Sequence, residues 1–138
     1  MNRPDAALTF LRRANRVDES NTIVRLNMAI ALMAKREYND AMGLLERVLR
    51  DEPRRSLPLY FMGRVHFYQK KYDEAERHVR MALAEDPGLI DGWVMLVNVA
   101  LEQEDYGAAR EGLENLRAAM KNGLFTRFVE DQLASLEN

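Results

Sequence analysis

The chain has 138 residues, 47% hydrophobic and 30% charged, which describes a soluble globular protein of one ordinary domain. Its 20 basic and 22 acidic residues give a formal charge of −2, so no excess field pulls it toward nucleic acid or an anionic membrane. The absence of cysteine excludes disulfides, thiolate zinc sites and a cysteine nucleophile, and leaves the redox compartment open.

The opening "MNRPDAALTFLRRANR" lacks a basic start followed by a continuous apolar core and a cleavage site. No apolar run approaches the roughly 18 residues of a membrane span. A soluble protein is expected, with the cytoplasm slightly favoured. Residues 4–19 form the first predicted helix, with Ala7, Leu11 and Ala14 along one side.

Residues 22–55 hold two successive helical patterns. In the first, Ile23, Leu26, Ile30 and Met33 alternate with Met28, Ala31 and Leu32, so this helix is apolar on more than one side and must be touched on both. After "KREYND" a second begins, with Ala41, Leu44, Leu45, Val48 and Leu49 at spacings of three and four. Pro53 stops it, because proline donates no helical hydrogen bond and disfavours helix at the residue before it. Ser20, Thr22 and Ser56 stand near helix starts, where a hydroxyl reads as a cap.

The same two-part pattern returns over 56–89 and again over 90–123. Tyr38, Tyr72 and Tyr106 are 34 residues apart, as are Ala41, Ala75 and Ala109; Leu45, Val79 and Leu113; and Pro53 and Pro87. One step earlier stand Ala7 and Leu11, which makes 4–19 a second helix without its first. Asn122 and Gly123 read as a helix stop. Beyond them, residues 124–137 carry Phe125, Phe128, Val129, Leu133 and Leu136 on one side, as a terminal capping helix requires.

The small residues Ala41, Ala75 and Ala109 let paired helices approach near the lower end of the roughly 8–10 Å range. One such pair cannot stand alone. Ordering backbone costs about 1–2 kcal/mol per residue, whereas burying a leucine returns only about 1.5–3 kcal/mol. Stacked neighbours must complete the core, and about three units are the minimum.

A period of 34 with W-x2-L-G-x2-Y, then A-x3-F, then P is similar to the tetratricopeptide repeat. "WVMLVNVA" keeps Trp93 and Leu96, and "LYFMGRVH" keeps Gly63; "RLNMAIAL" has Arg25 in the tryptophan place. Among the second helices, Ala75, Val79, Ala82 and Pro87 fit well, and Ala41, Leu45, Val48 and Pro53 follow. The resemblance covers nearly the whole chain. It implies an all-α fold, a right-handed superhelical solenoid of antiparallel helix pairs, as a single domain over 1–138. The missing partner of the first helix implies either a longer parent protein or a face covered by another copy.

Catalytic signatures are missing. His66 and His78 lie on different helices of one hairpin and read as packing and solvation, and two histidines without a matched carboxylate make no metal site. Asp73 with Glu74, and Glu102 with Glu104, fall on turns and outer faces, where ionised groups are solvated. There is no glycine-rich phosphate loop and no G-x-S-x-G. The chain reads as a non-enzyme without cofactor or metal.

In the family, first helices line a concave groove that takes peptides. The resemblance therefore implies a groove built from Leu26, Asn27, Ile30, Met33, Tyr60, Arg64, Phe67, Tyr68, Val94, Asn98 and Leu101, with Ile23, Ala34, Leu57, Phe61, Asp91, Met95 and Glu102 in the same register. Some of these aromatics either face the groove or seal one repeat against the next. The clamp that holds acidic heat-shock chaperone tails is not expected, because its places carry Leu26, Ile30, Phe61, Asp91 and Met95. The reading is a scaffold or adaptor that binds an apolar or amphipathic segment of a protein partner, with no nucleic acid and no membrane insertion. Its alternatives are a self-assembling structural protein and a substrate-recruiting or regulatory segment of a larger enzyme or assembly complex. Under either alternative a homo-oligomer, or a groove filled by the last helix, is an open outcome.

Overall fold

The computed structural model describes residues 2–120 and 123–137, with 123–128 described by their backbone alone. Among the described residues eight α-helices follow one another without a strand: α1 (Arg3–Val17), α2 (Thr22–Ala34), α3 (Tyr38–Asp51), α4 (Ser56–Tyr68), α5 (Tyr72–Glu85), α6 (Ile90–Glu102), α7 (Tyr106–Ala119) and α8 (Gly123–Leu136). Thr22, Ser56 and Ile90 open successive first helices 34 residues apart, and Tyr38, Tyr72 and Tyr106 open the second helices at the same step.

Three helix starts are capped by side chains, two by amides and one by a carboxylate. Asn2 accepts from the Asp5 N–H, Asn21 from the N–H groups of Ile23 and Val24, and Asp105 from that of Ala108. The three hydroxyls expected as caps serve otherwise or cap nothing. Thr22 donates to Glu52, Ser20 donates to Asp18, and α4 has no side-chain cap. As expected, α3 and α5 end two residues before Pro53 and Pro87. Gly123 is the first residue of α8 and not a stop, while Asn122 lies outside the described residues.

Each turn from first to second helix is closed in one way. Arg36, Lys70 and Glu104, 34 residues apart, have φ of 63°, 62° and 56°, the left-handed region that non-glycine residues seldom enter. Their amides bond back to the carbonyls of Met33, Phe67 and Leu101, and the next amides reach Leu32, His66 and Ala100. This double bond pattern satisfies the end carbonyls of each first helix. No glycine marks these places, so periodicity alone relates them.

Packing follows from the alanines. Ala41, Ala75 and Ala109 are all fully buried, between α2 and α3, α4 and α5, and α6 and α7. The close approach is shared differently in two hairpins. A Cβ on Gly63 would stand 2.5 Å from Val79 Cγ2, so α4 yields the space there. One step later Val97 fills the corresponding place, and Gly112 on α7 yields instead, since a Cβ there would meet Val97 Cγ2 at 2.9 Å. Three apolar clusters result, one per hairpin, each reaching into the next. In the last, Val129 and Leu133 of α8 are buried with Leu113 and Leu116, so α8 covers α7; Phe125 and Phe128, expected on the same side, lie outside the described side chains.

Candidate functional site

The inner side of the stack is identified by which helices touch. Besides packing on its own partner, α2 contacts α4 and α4 contacts α6, whereas α3, α5 and α7 do not meet one another. Helices that crowd on one side and diverge on the other bend the stack, so the first helices line its concave face.

Burial sorts the groove residues. Asn27, Ile30, Tyr68, Val94, Asn98 and Leu101 are exposed, and Arg64 and Phe67 are half-buried. Leu26, Met33 and Tyr60 are largely buried, so they offer the groove far less surface than their register suggested. The reason is positional. Leu26, Tyr60 and Val94 share one register place, as do Met33, Phe67 and Leu101, yet exposure rises along each series, from 5% at Leu26 to 39% at Val94. On α2 and α4 these positions are covered by the first helix of the next hairpin; α6 makes no such contact with α8 among the described residues.

Side chains of its own helix also pack on Tyr60. Phe61 packs on its ring at 5.2 Å, and the Arg64 guanidinium carbon lies 5.9 Å from its centroid. Burial pushes the Tyr60 phenol above its ordinary range, so it stays protonated at neutral pH.

Arg64 is the centre of this surface. Its guanidinium carbon is 5.6 Å from the centroids of both Phe61 and Tyr68, and Nη2 donates to the Tyr68 hydroxyl at 2.8 Å. Ring faces attract a cation and hold it in place. Tyr60, Phe61 and Tyr68 each stand three or four positions from Arg64 along α4, which is why all three rings reach it. Tyr68 stacks in turn on Tyr38 at 6.2 Å, which ties α4 to the start of α3.

Beside Arg64 opens a recess of about 650 Å³, lined by Ile30, Met33, Ala34, Arg36, Tyr38, Arg64 and Tyr68. Sequence reasoning missed Arg36 and Tyr38 here. Tyr38 was legible only as a periodic marker of the second helix, and the left-handed backbone of Arg36 has no residue signature. Toward the N-terminal end, Phe10, 70% exposed, joins Ala7, Asn27 and Ile30 along an apolar trough. Ala7 is exposed although Ala41, Ala75 and Ala109 at the same register are fully buried, so this side of α1 lacks the helix that covers its counterparts.

Two aspartates outside the groove are joined into structure. Asp73 accepts from Gln103 at 3.0 Å, and at the same register two steps earlier Asp5 pairs with Lys35 at 2.6 Å. Among the described residues no three histidines or carboxylates gather as a metal site would need, and no helix is long and apolar enough to cross a membrane.

An all-α stack of paired helices with one curved inner face defines a helical-repeat solenoid. The tetratricopeptide repeat pattern matches residues 1–64 and 66–124, and the chain belongs to that family. No curated protein sequence matches it. Among solved structures it is similar to MamA, with a TM-score of 0.74 at 16% identity over 96% of this chain and 84% of that one. It is also similar to the type III secretion translocator chaperone SycD of Yersinia enterocolitica in an alternative dimer, with a TM-score of 0.76 at 14% identity over 87% and 96%. A third likeness is to the TPR2B domain of yeast Sti1 in complex with pHsp70, with a TM-score of 0.69 at 14% identity over 79% and 90%. At these identities the likeness concerns the fold, a right-handed superhelical solenoid of antiparallel helix pairs.

Proposed function

We propose that this protein is a non-catalytic interaction scaffold whose concave face holds an apolar or amphipathic segment of a protein partner. It is organised as repeats at 22–55, 56–89 and 90–123 between a lone second helix and a cap. The observation that carries the reading is the exposed row Ile30, Tyr68, Val94 and Leu101, apolar and aromatic side chains left open along the inner face and interleaved with Asn27 and Asn98. Ring and aliphatic surface supplies contact area, and the amides are free to pair with a segment's backbone. The Sti1 domain in its complex with pHsp70 lends support by analogy, although the places of an acidic-tail clamp are filled here by Leu26, Ile30, Phe61, Asp91 and Met95. No cofactor, metal, nucleic acid or membrane insertion enters this function.

The test is selection of binders from a random dodecapeptide library displayed on phage. The variants are Ile30→Glu and Leu101→Glu, both at exposed positions. Selected peptides should lose about tenfold or more in affinity for the double variant, since each site forfeits the roughly 1.5–3 kcal/mol that burial of an aliphatic side chain supplies. Peptides that bind the double variant as tightly as the unaltered protein would move the site away from the groove.

A further inference from the structure

We propose that the recess between α2 and α4 is a carboxylate subsite of the groove: it receives an Asp or Glu side chain of the partner segment between Arg36 and Arg64, while a neighbouring apolar residue rests on Ile30. This rests on the groove reading above and names the chemistry of the partner.

The electrostatic case comes first. Arg64 is a half-buried cation, and among the described residues no carboxylate lies within 4.0 Å of it. Asp91 acts on it electrostatically from α6 but does not line the recess, and no acidic residue does. A second arginine, Arg36, lines the recess from the turn after α2. Opposing them are the ends of α2 and α4, at Ala34 and Tyr68, each equivalent to about half a negative charge. Those carbonyl ends are already bonded by the turn amides, so two full positive charges prevail.

Geometry makes the subsite specific. The rings of Phe61 and Tyr68 stand beside the Arg64 guanidinium, and one of its nitrogens donates to the Tyr68 hydroxyl. Guanidinium has five N–H donors in a plane, and with one of them given to Tyr68 the others remain for a ligand. A carboxylate matches that edge in plane and charge. Ile30 and Ala34 form the apolar wall beside it, so an isolated acid uses only part of the recess whereas an acid next to an apolar residue uses all of it.

The experiment compares peptides selected on the unaltered protein with peptides selected on Arg64→Met. The first set should carry Asp or Glu beside an apolar residue; the second should keep the apolar residues and lose the acid. The best-enriched peptide with Glu is then titrated beside its Gln counterpart. That exchange should cost about tenfold on the unaltered protein and almost nothing on Arg64→Met or on Arg36→Gln, whose position is exposed. Circular dichroism melting confirms that both variants fold. Selected peptides that share apolar residues but no acid would overturn the subsite and leave the groove standing, as would an equal Glu-to-Gln loss on all three proteins. Failure to enrich any peptide would remove the groove and the subsite together.

Discussion

At the scale of single residues, Arg25 shows how one side chain substitutes for another of different chemistry. In the register place where Trp93 donates its indole N–H to the carbonyl of Pro87, six residues earlier, Arg25 donates Nη2 to the carbonyl of Glu19, also six residues earlier. Arg25 is only 4% exposed, and its charge is met by Asp51 at 2.7 Å. The departure from the family residue at this place was legible in the sequence; the retention of its hydrogen bond was not, because an arginine gives no sign of which carbonyl it will reach.

His66 and His78 carry a second residue-scale consequence. Their rings stand 4.9 Å apart across the α4–α5 hairpin, and His66 Nδ1 is buried without a partner. Burial lowers the His66 basicity below its ordinary value of 6.5, and His78 adds to this, as Lys71 and Arg77 do; Glu74 opposes them. A folded-state value below the unfolded one means that protons bind the unfolded chain more readily. This contribution to stability is therefore complete above about pH 6.5 and declines as the pH falls through and below it. Urea unfolding should show a lower midpoint near pH 5 than near pH 8, and His66→Leu should flatten the difference. An undiminished pH dependence in that variant would assign the effect to other groups.

At the scale of elements, the helices and the stops before Pro53 and Pro87 were legible because period and proline are local properties. The exchange of Gly63 with Val97, and of His78 with Gly112, was not. It is a volume trade between two helices, and each residue read alone is merely a departure from pattern. The trade makes a prediction. Gly63→Ala should gain up to about 1 kcal/mol in helix propensity, but the clash with Val79 costs about 1–3 kcal/mol of overpacking. The net expected is a loss of about 1 kcal/mol, read by chemical denaturation. In the Val79→Ala background the same substitution should cost less, because the nearest obstacle is gone. Equal losses in both backgrounds would place the strain elsewhere.

On the scale of the whole molecule, stability in a stack of repeats is a sum of each unit's own terms and its contacts with the next. The helices α4 and α5 have neighbours on both sides and pack most extensively on each other, while α1 and α8 each have one neighbouring helix. Hydrogen exchange should accordingly be slowest in α4 and α5 and fastest in α1 and α8, with fraying that starts from the ends. A single protection level along the chain would mean that the stack unfolds as one unit.

The amino-acid sequence by itself determined the helices, their 34-residue step and the family, because helical period and proline stops belong to the chain before it folds. Which side chains face the groove was decided by the tertiary structure. Leu26, Tyr60 and Val94 are equivalent in sequence register and differ in space only by what the next helix covers. The recess beside Arg64 is likewise built by two helices and a left-handed turn that no local pattern places together. Burial is a property of neighbours, and a periodic chain gives equivalent residues unequal neighbours as soon as it has two ends.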